Sequence, residues 1–123
     1  MKQIEEGNFW FVRMDGRIVG YVGLEFIDEK TVLLKHLAVQ RKYRKRRIGS
    51  TLFDHAVRFA RSKGATTAAF VTMYYHFNRF KRRGFRTCPR KFLPENVRSY
   101  WMFTAKRYMK CAAMIQEFPP QAG

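Results

Sequence analysis

The residues with the clearest chemical promise run from Leu37 to Ser50, as LAVQRKYRKRRIGS. An apolar stretch passes through a short basic loop and straight into a helical pattern. Backbone N–H groups at a helix start have no intrahelical partner, and the helix dipole adds positive charge there, so an anion is favoured. Gly49 lets the backbone approach a ligand closely, and Ser50 caps the helix or donates to a phosphate oxygen. Neighbouring arginines add charge-assisted hydrogen bonds. The stretch predicts a cradle for a phosphate or pyrophosphate. A P-loop reading fails, because no glycine-rich loop ends in Gly-Lys-Ser/Thr. A dinucleotide-binding reading fails too, because Gly-x-Gly-x-x-Gly is absent and the strand before the loop is the third of a meander. The bland alternative is a solvated basic connector.

Charge points the same way. The chain has 123 residues, with 25 Lys+Arg against 9 Asp+Glu and a formal net charge of +16. Such an excess implies an anionic partner: a phosphorylated cofactor, an acidic substrate, nucleic acid or an anionic surface. It is also clustered. Six of the eight residues from Gln40 to Arg47 are basic, and seven more lie between Arg79 and Lys91. Phe80, Phe85 and Phe92 interleave that second run, which fits a nucleic-acid surface and equally a helix with a buried aromatic side. Two cysteines, Cys88 and Cys111, are too few for a disulfide scaffold or a four-cysteine zinc site. His36, His55 and His76 show no metal-ligand spacing with them, so no metal site is expected. No apolar run is long enough to span a membrane, and the N-terminus has no signal-peptide core. The expectation is a cytoplasmic protein with no membrane contact, one domain over 1–123, and tails at 1–8 and 119–123.

The elements that must position the cradle follow from patterning. FWFVRM at 9–14, RIVGYVGLEFI at 17–27 and TVLLKHLAV at 31–39 read as three strands, with Asp15-Gly16 as a tight hairpin turn. Gly20 and Gly23 weaken the second strand unless backbone comes close or bulges there. Ile48, Leu52, His55/Ala56 and Phe59 recur at helical spacing, and Lys63-Gly64 ends that helix. A strand at 67–73, a helix at 75–83 and a short strand at 85–88 come next. A helix from Leu93 to about Thr104 and a strand at 109–118 follow. The order β-β-β-α-β-α-β-α-β implies a mixed α/β sheet.

With these residues on the page, LAVQRKYRKRRIGSTL resembles the acetyl-coenzyme A signature of the GNAT superfamily of N-acetyltransferases. Val39, Arg44, Ile48 and Gly49 match it. Phe80 to Phe85, an aromatic four residues before Gly-Phe, is similar to the family's second landmark. The pattern from Gly84 through Pro89-Arg90 and Leu93-Pro94-Glu95 to Lys110–Met114 is similar to N-acetylglutamate-synthase-like members. The resemblance spans roughly 9–118. It implies an α/β, GNAT-like, mostly antiparallel mixed sheet flanked by helices, lacking the family's usual first strand and two helices. That front end leaves apolar sheet surface, so a homodimer is expected.

The resemblance implies direct transfer of acetyl from acetyl-coenzyme A to an amine, first of all that of a small carboxylated amine or amino acid. The alternatives are acetylation of a protein or RNA-linked amine, and a non-catalytic basic module that binds nucleic acid. Leu37, Ala38 and Val39 would hold the pantetheine arm through backbone. Arg44, Lys45, Arg46, Arg47, Ile48, Gly49 and Ser50 would cradle the pyrophosphate. Arg47 stands where the signature has its central glycine, and Lys45 where many relatives have another. Phe80 replaces the tyrosine that often acts as general acid, and no carboxylate lies in Thr31–Val39. His36 and Glu25 are therefore rival candidates for the base, and Tyr74 (with Tyr75) for the acid. Lys35 is the candidate partner of an acceptor carboxylate.

Overall fold

The structure, a computed structural model, describes residues 2–6, 8–44, 46–72 and 76–119. Its strands are β1 (Lys2–Glu6), β2 (Phe9–Met14), β3 (Arg17–Phe26), β4 (Thr31–Val39), β5 (Thr67–Thr72), β6 (Arg86–Thr87) and β7 (Ala112–Glu117). Its helices are α1 (Ile48–Ser62), α2 (Phe77–Lys81), α3 (Glu95–Arg98) and α4 (Trp101–Thr104). One seven-stranded sheet has the order β1-β2-β3-β4-β5-β7-β6. Every pairing is antiparallel except β4 with β5.

The meander follows its sequence pattern closely. Asp15 and Gly16 both take positive φ, at 53° and 74°, which is the hairpin geometry that their types favour. Trp10, Val12, Val19, Val22, Leu24, Val32 and Leu34 point to one face. There they meet Ile48, Leu52, Phe53, Ala56 and Ala60 of α1, so one helix stripe closes one side of the sheet. His55 and Phe59 are only half-buried at the edge of that stripe. On the other face Leu33, Ala69, Ala113 and Ile115 pack beneath Leu93, Val97, Met102 and Phe103 from the α3–α4 segment.

Three expectations are corrected. Residues 2–6 of the expected 1–8 tail form β1, paired along β2 with Glu6 opposite Phe9, so no helix separates these two strands. The expected helix from 93 to 104 is two short helices, broken where Tyr100 is extended at φ −68° and ψ 141°. Arg90 holds this broken segment in place. Its guanidinium donates to the carbonyls of Phe103 at 2.9 Å, Cys111 at 3.1 Å and Tyr108 at 2.8 Å, spending its fork on backbone that no regular element satisfies. Finally, the last strand starts at Ala112 rather than Met109, after a 3-10 turn over Lys106–Tyr108.

Both glycines of β3 have local causes. A Cβ at Gly23 would lie 2.7 Å from Cζ of Phe9, whose ring covers it. A Cβ at Gly20 would lie 3.1 Å from Cγ2 of Ile48, where α1 comes close to the sheet. Among the described residues no helix is long and apolar enough to cross a membrane.

Candidate functional site

The basic loop is anchored by one side chain. A 3-10 turn over Arg41–Tyr43 inserts Tyr43 into the core, where it is 3% exposed. Lys42 and Arg46 then lie over its ring at 5.8 and 5.2 Å. Arg41, Lys42, Arg44, Arg46 and Arg47 all face solvent. Lys45 lies outside the described residues.

The loop delivers the chain to α1 through Arg47, which precedes the helix with φ 59° and ψ 18°. Arg47 thus takes a left-handed conformation, a region that favours glycine. That keeps the turn and adds a cation beside it, at the expense of backbone strain. The first helical bond runs from the Thr51 N–H to the Arg47 carbonyl at 2.9 Å. Among the described residues no side chain caps the helix, and no acid sits in its first turn. The N–H groups of Ile48, Gly49 and Ser50 therefore have no acceptor among the described residues, and the helix behind them is fifteen residues long. A Cβ at Gly49 would meet only Cγ2 of Val39, at an ordinary 3.4 Å. Nothing in the chain itself demands glycine there, so the space fits an incoming backbone-hugging anion.

The sheet opens next to this helix start. β4 and β5 pair only over Thr31–Leu33 and Thr67–Ala69. Beyond Leu33, the β5-facing edge of β4 has no ladder partner among the described residues. A bulge in β4 lies just past this point. Gly23 pairs with Lys35 and Tyr21 with Ala38, and His36 takes φ 57° between them. Leu37, Ala38 and Val39 follow the bulge along the open edge toward the cradle, all half-buried. Arg44 Nε donates to the Val39 carbonyl at 3.1 Å and so covers one of the backbone groups that an extended ligand arm would use.

The other candidates fall into place around this opening. His36 is exposed and its ring stacks on Phe9 with centroids 5.8 Å apart. Glu25 and Lys35 are paired, Nζ to Oε1, at 2.8 Å. Lys35 is thus committed to Glu25 rather than free for an acceptor carboxylate. Its ammonium, with the Tyr100 hydroxyl, holds the Glu25 carboxyl below the usual carboxylate range, which makes Glu25 a poor proton acceptor. The same contact raises Lys35 above the usual lysine value. Tyr100 donates to Oε1 of Glu25 at 2.6 Å, across 75 residues of sequence, and no linear pattern signals it. Tyr74 and Tyr75 lie outside the described residues.

Phe80 is buried among Phe53, Phe70 and Phe85, as core rather than chemistry. His76, at the start of α2, is held below its ordinary value by burial and then by the charges of Arg79 and Arg44. An open groove lined by Asn8, Phe26, Asp28, Phe59 and Lys63 lies at the end of α1 away from the basic loop. Among the described residues no group of three or more His, Cys, Asp or Glu is placed to hold a metal, and no disulfide joins Cys88 and Cys111.

Comparison with known proteins bears on the family and the fold. The model of the acetyltransferase (GNAT) family matches residues 1–85. A protein of Xenopus tropicalis, "Probable N-acetyltransferase camello", is 32% identical over 109 residues, which is 85% of this chain and 50% of the relative. The chain thus spans half the length of that relative. The N-acetylglutamate synthase of Neisseria gonorrhoeae, solved with coenzyme A and N-acetyl-glutamate, superposes with a TM-score of 0.75 at 21% identity, over 91% of this chain and 26% of that one. A Mycobacterium tuberculosis protein solved with coenzyme A gives the same TM-score at 19% identity, over 91% of this chain and 76% of its own.

Proposed function

The chain belongs to the GNAT acetyltransferase family, and on that premise we propose that it transfers the acetyl group of acetyl-coenzyme A to an amine, first of all that of a small carboxylated molecule such as an amino acid. The observation that carries this is the uncapped start of α1 beside the opening between β4 and β5. Acetyl-coenzyme A supplies an acetyl thioester whose carbonyl carbon an amine can attack, with the thiol leaving.

The chain's own residues would act as follows. The N–H groups of Ile48, Gly49 and Ser50, with Arg44, Arg46 and Arg47, receive the pyrophosphate. The open edge at Leu37–Val39 gives backbone partners to an extended arm laid between the strands. α1 closes one face of the sheet, so the acceptor arrives from the other, past Phe9, Tyr21, His36, Glu25 and Lys35. The rate would come chiefly from holding amine and thioester together. The proton leaves the amine through water, with His36 as the exposed imidazole nearest the bulge. The +16 charge favours anionic acceptors by steering, and Glu25 neutralises Lys35 locally. A second copy over the aromatic face of β2 and β3 would wall the acceptor side, and sedimentation at physiological salt tests that dimer.

Thermal-shift titration with acetyl-coenzyme A and with coenzyme A, at low salt and at about 0.3 M salt where exposed charges are screened, tests the assignment. A shift that persists at high salt, and is lost in Gly49→Val, supports it. A shift that disappears with salt, or an unchanged Gly49→Val, refutes the cradle. Salt-sensitive RNA binding would then take its place.

A further inference from the structure

Glu25 has an unequal pair of oxygens. Oε1 accepts from Lys35 Nζ at 2.8 Å and from the Tyr100 hydroxyl at 2.6 Å. Lys35 Nζ also lies 3.3 Å from the Tyr100 oxygen, so three side chains from β3, β4 and the α3–α4 break close a small ring of hydrogen bonds. Oε2 has no partner among the described residues. A carboxylate offers about four acceptor positions, and here half of them remain open. The Lys35 side chain is 16% exposed and that of Glu25 39%, so solvent reaches the pair mainly at Glu25.

That open side has a defined place. Tyr21, Gly23 and Glu25 alternate along the face of β3 turned away from α1. Lys35 lies opposite Gly23, two residues beyond Leu33, where β4 and β5 part. The ring thus stands on the acceptor face, at the inner end of the opening. Tyr100 reaches it because its backbone is extended between two four-residue helices, while Trp101 beside it is 42% exposed. A group that stays ionised and offers a free oxygen suits an N–H donor. It is poorly suited to removing a proton.

We propose that the acceptor amine donates an N–H to Oε2 of Glu25, and that Tyr100 is the positioning residue which, with Lys35, holds that oxygen toward the opening between β4 and β5. This rests on the acetyltransferase reading above and adds the group that receives the amine. A ring that only fastened the α3–α4 segment to the sheet would affect stability and nothing else.

Steady-state acetyl transfer decides between the two, measured with the twenty standard amino acids and the tripeptide Ala-Lys-Gly as acceptors. On the best of these acceptors, Tyr100→Phe lowers kcat/KM for the amine about tenfold and leaves KM for acetyl-coenzyme A within twofold. Glu25→Gln lowers it further, by about a hundredfold, and Glu25→Asp recovers part of the loss. The double variant Tyr100→Phe/Glu25→Gln is no worse than Glu25→Gln alone, because Tyr100 acts through Glu25. Losses that add in the double variant, or a Tyr100→Phe protein with wild-type kcat/KM, overturn the proposal and leave the acetyltransferase reading standing. A wild-type protein that acetylates none of these acceptors overturns both.

Discussion

Replacing Arg47 by glycine should move stability and ligand affinity in opposite directions. Arg47 sits at φ 59°, a region that costs an L-residue about 1–2 kcal/mol and glycine nothing. Glycine gives back about 0.5–1 kcal/mol through the greater freedom of its unfolded chain. Helix capping is little affected, because glycine is itself acceptable before a helix. The net gain is about 0.5–1 kcal/mol. Unfolding entropy near 2.1 cal/mol/K per residue over this length turns that into a Tm rise of about 2–4 °C without ligand. The same change removes an exposed cation from the start of α1, worth about 0.3–1 kcal/mol toward an anion there. The Kd for coenzyme A should therefore rise about two- to fivefold, and the difference should shrink as salt is raised. Differential scanning calorimetry of the free protein and isothermal titration with coenzyme A read the two effects separately. A lower Tm for the free Arg47→Gly protein would refute the strained turn. An unchanged Kd at low salt would refute the side chain's part in the cradle.

Other expectations follow from contacts already described. Gly23→Ala places a Cβ against the Phe9 ring and should cost about 1–3 kcal/mol in urea unfolding, with Phe9→Leu restoring part of it. Arg90→Lys cannot reach three carbonyls that lie in different directions. It should lose about 2 kcal/mol, and hydrogen exchange should rise first between Tyr100 and Cys111. Arg44→Ala removes a cation that holds His76 low, so the His76 midpoint in a proton NMR titration should rise. The sign for stability follows from the same shift. Below about pH 6.5 the unfolded chain binds a proton that folded His76 resists, so stability falls as pH drops through that range.

The parts of the molecule legible in the sequence are those whose causes are local. The Asp15-Gly16 hairpin, the central strand Thr31–Val39, the α1 stripe and the basic loop each carry their reason within a few residues. β1 was hidden because KQIEE has one apolar side chain and forms its strand through pairing with β2. The break at Tyr100 was hidden because no glycine or proline interrupts 95–104. Its extended backbone goes with a hydrogen bond to Glu25 that no local pattern reveals. The bulge at His36 is likewise a property of the β3–β4 register and not of histidine. Of the candidate site, the parts of the proposed cradle are readable, since helix start and charge coincide in one segment. Those of the proposed acceptor side are not, since they come from β3, β4 and the α3–α4 break.

The sheet also has a seam. β1 to β4 with α1 form one antiparallel half from a continuous stretch of chain, and β5, β7 and β6 form the other. Three rungs, Thr31 to Thr67, Val32 to Ala68 and Leu33 to Ala69, stitch the halves in the one parallel pairing, the weaker kind per residue. Across this line the halves are held by side chains more than by backbone: Phe53 of α1 packs on Phe70, Phe80 and Phe85, and Leu33 shares a core with Ala69, Ala113 and Ile115. A molecule laid into the gap takes hydrogen bonds from one half while resting on the other, and so acts as a fourth stitch. Its arrival would add backbone bonds where the sheet has only three rungs, raising the denaturation midpoint.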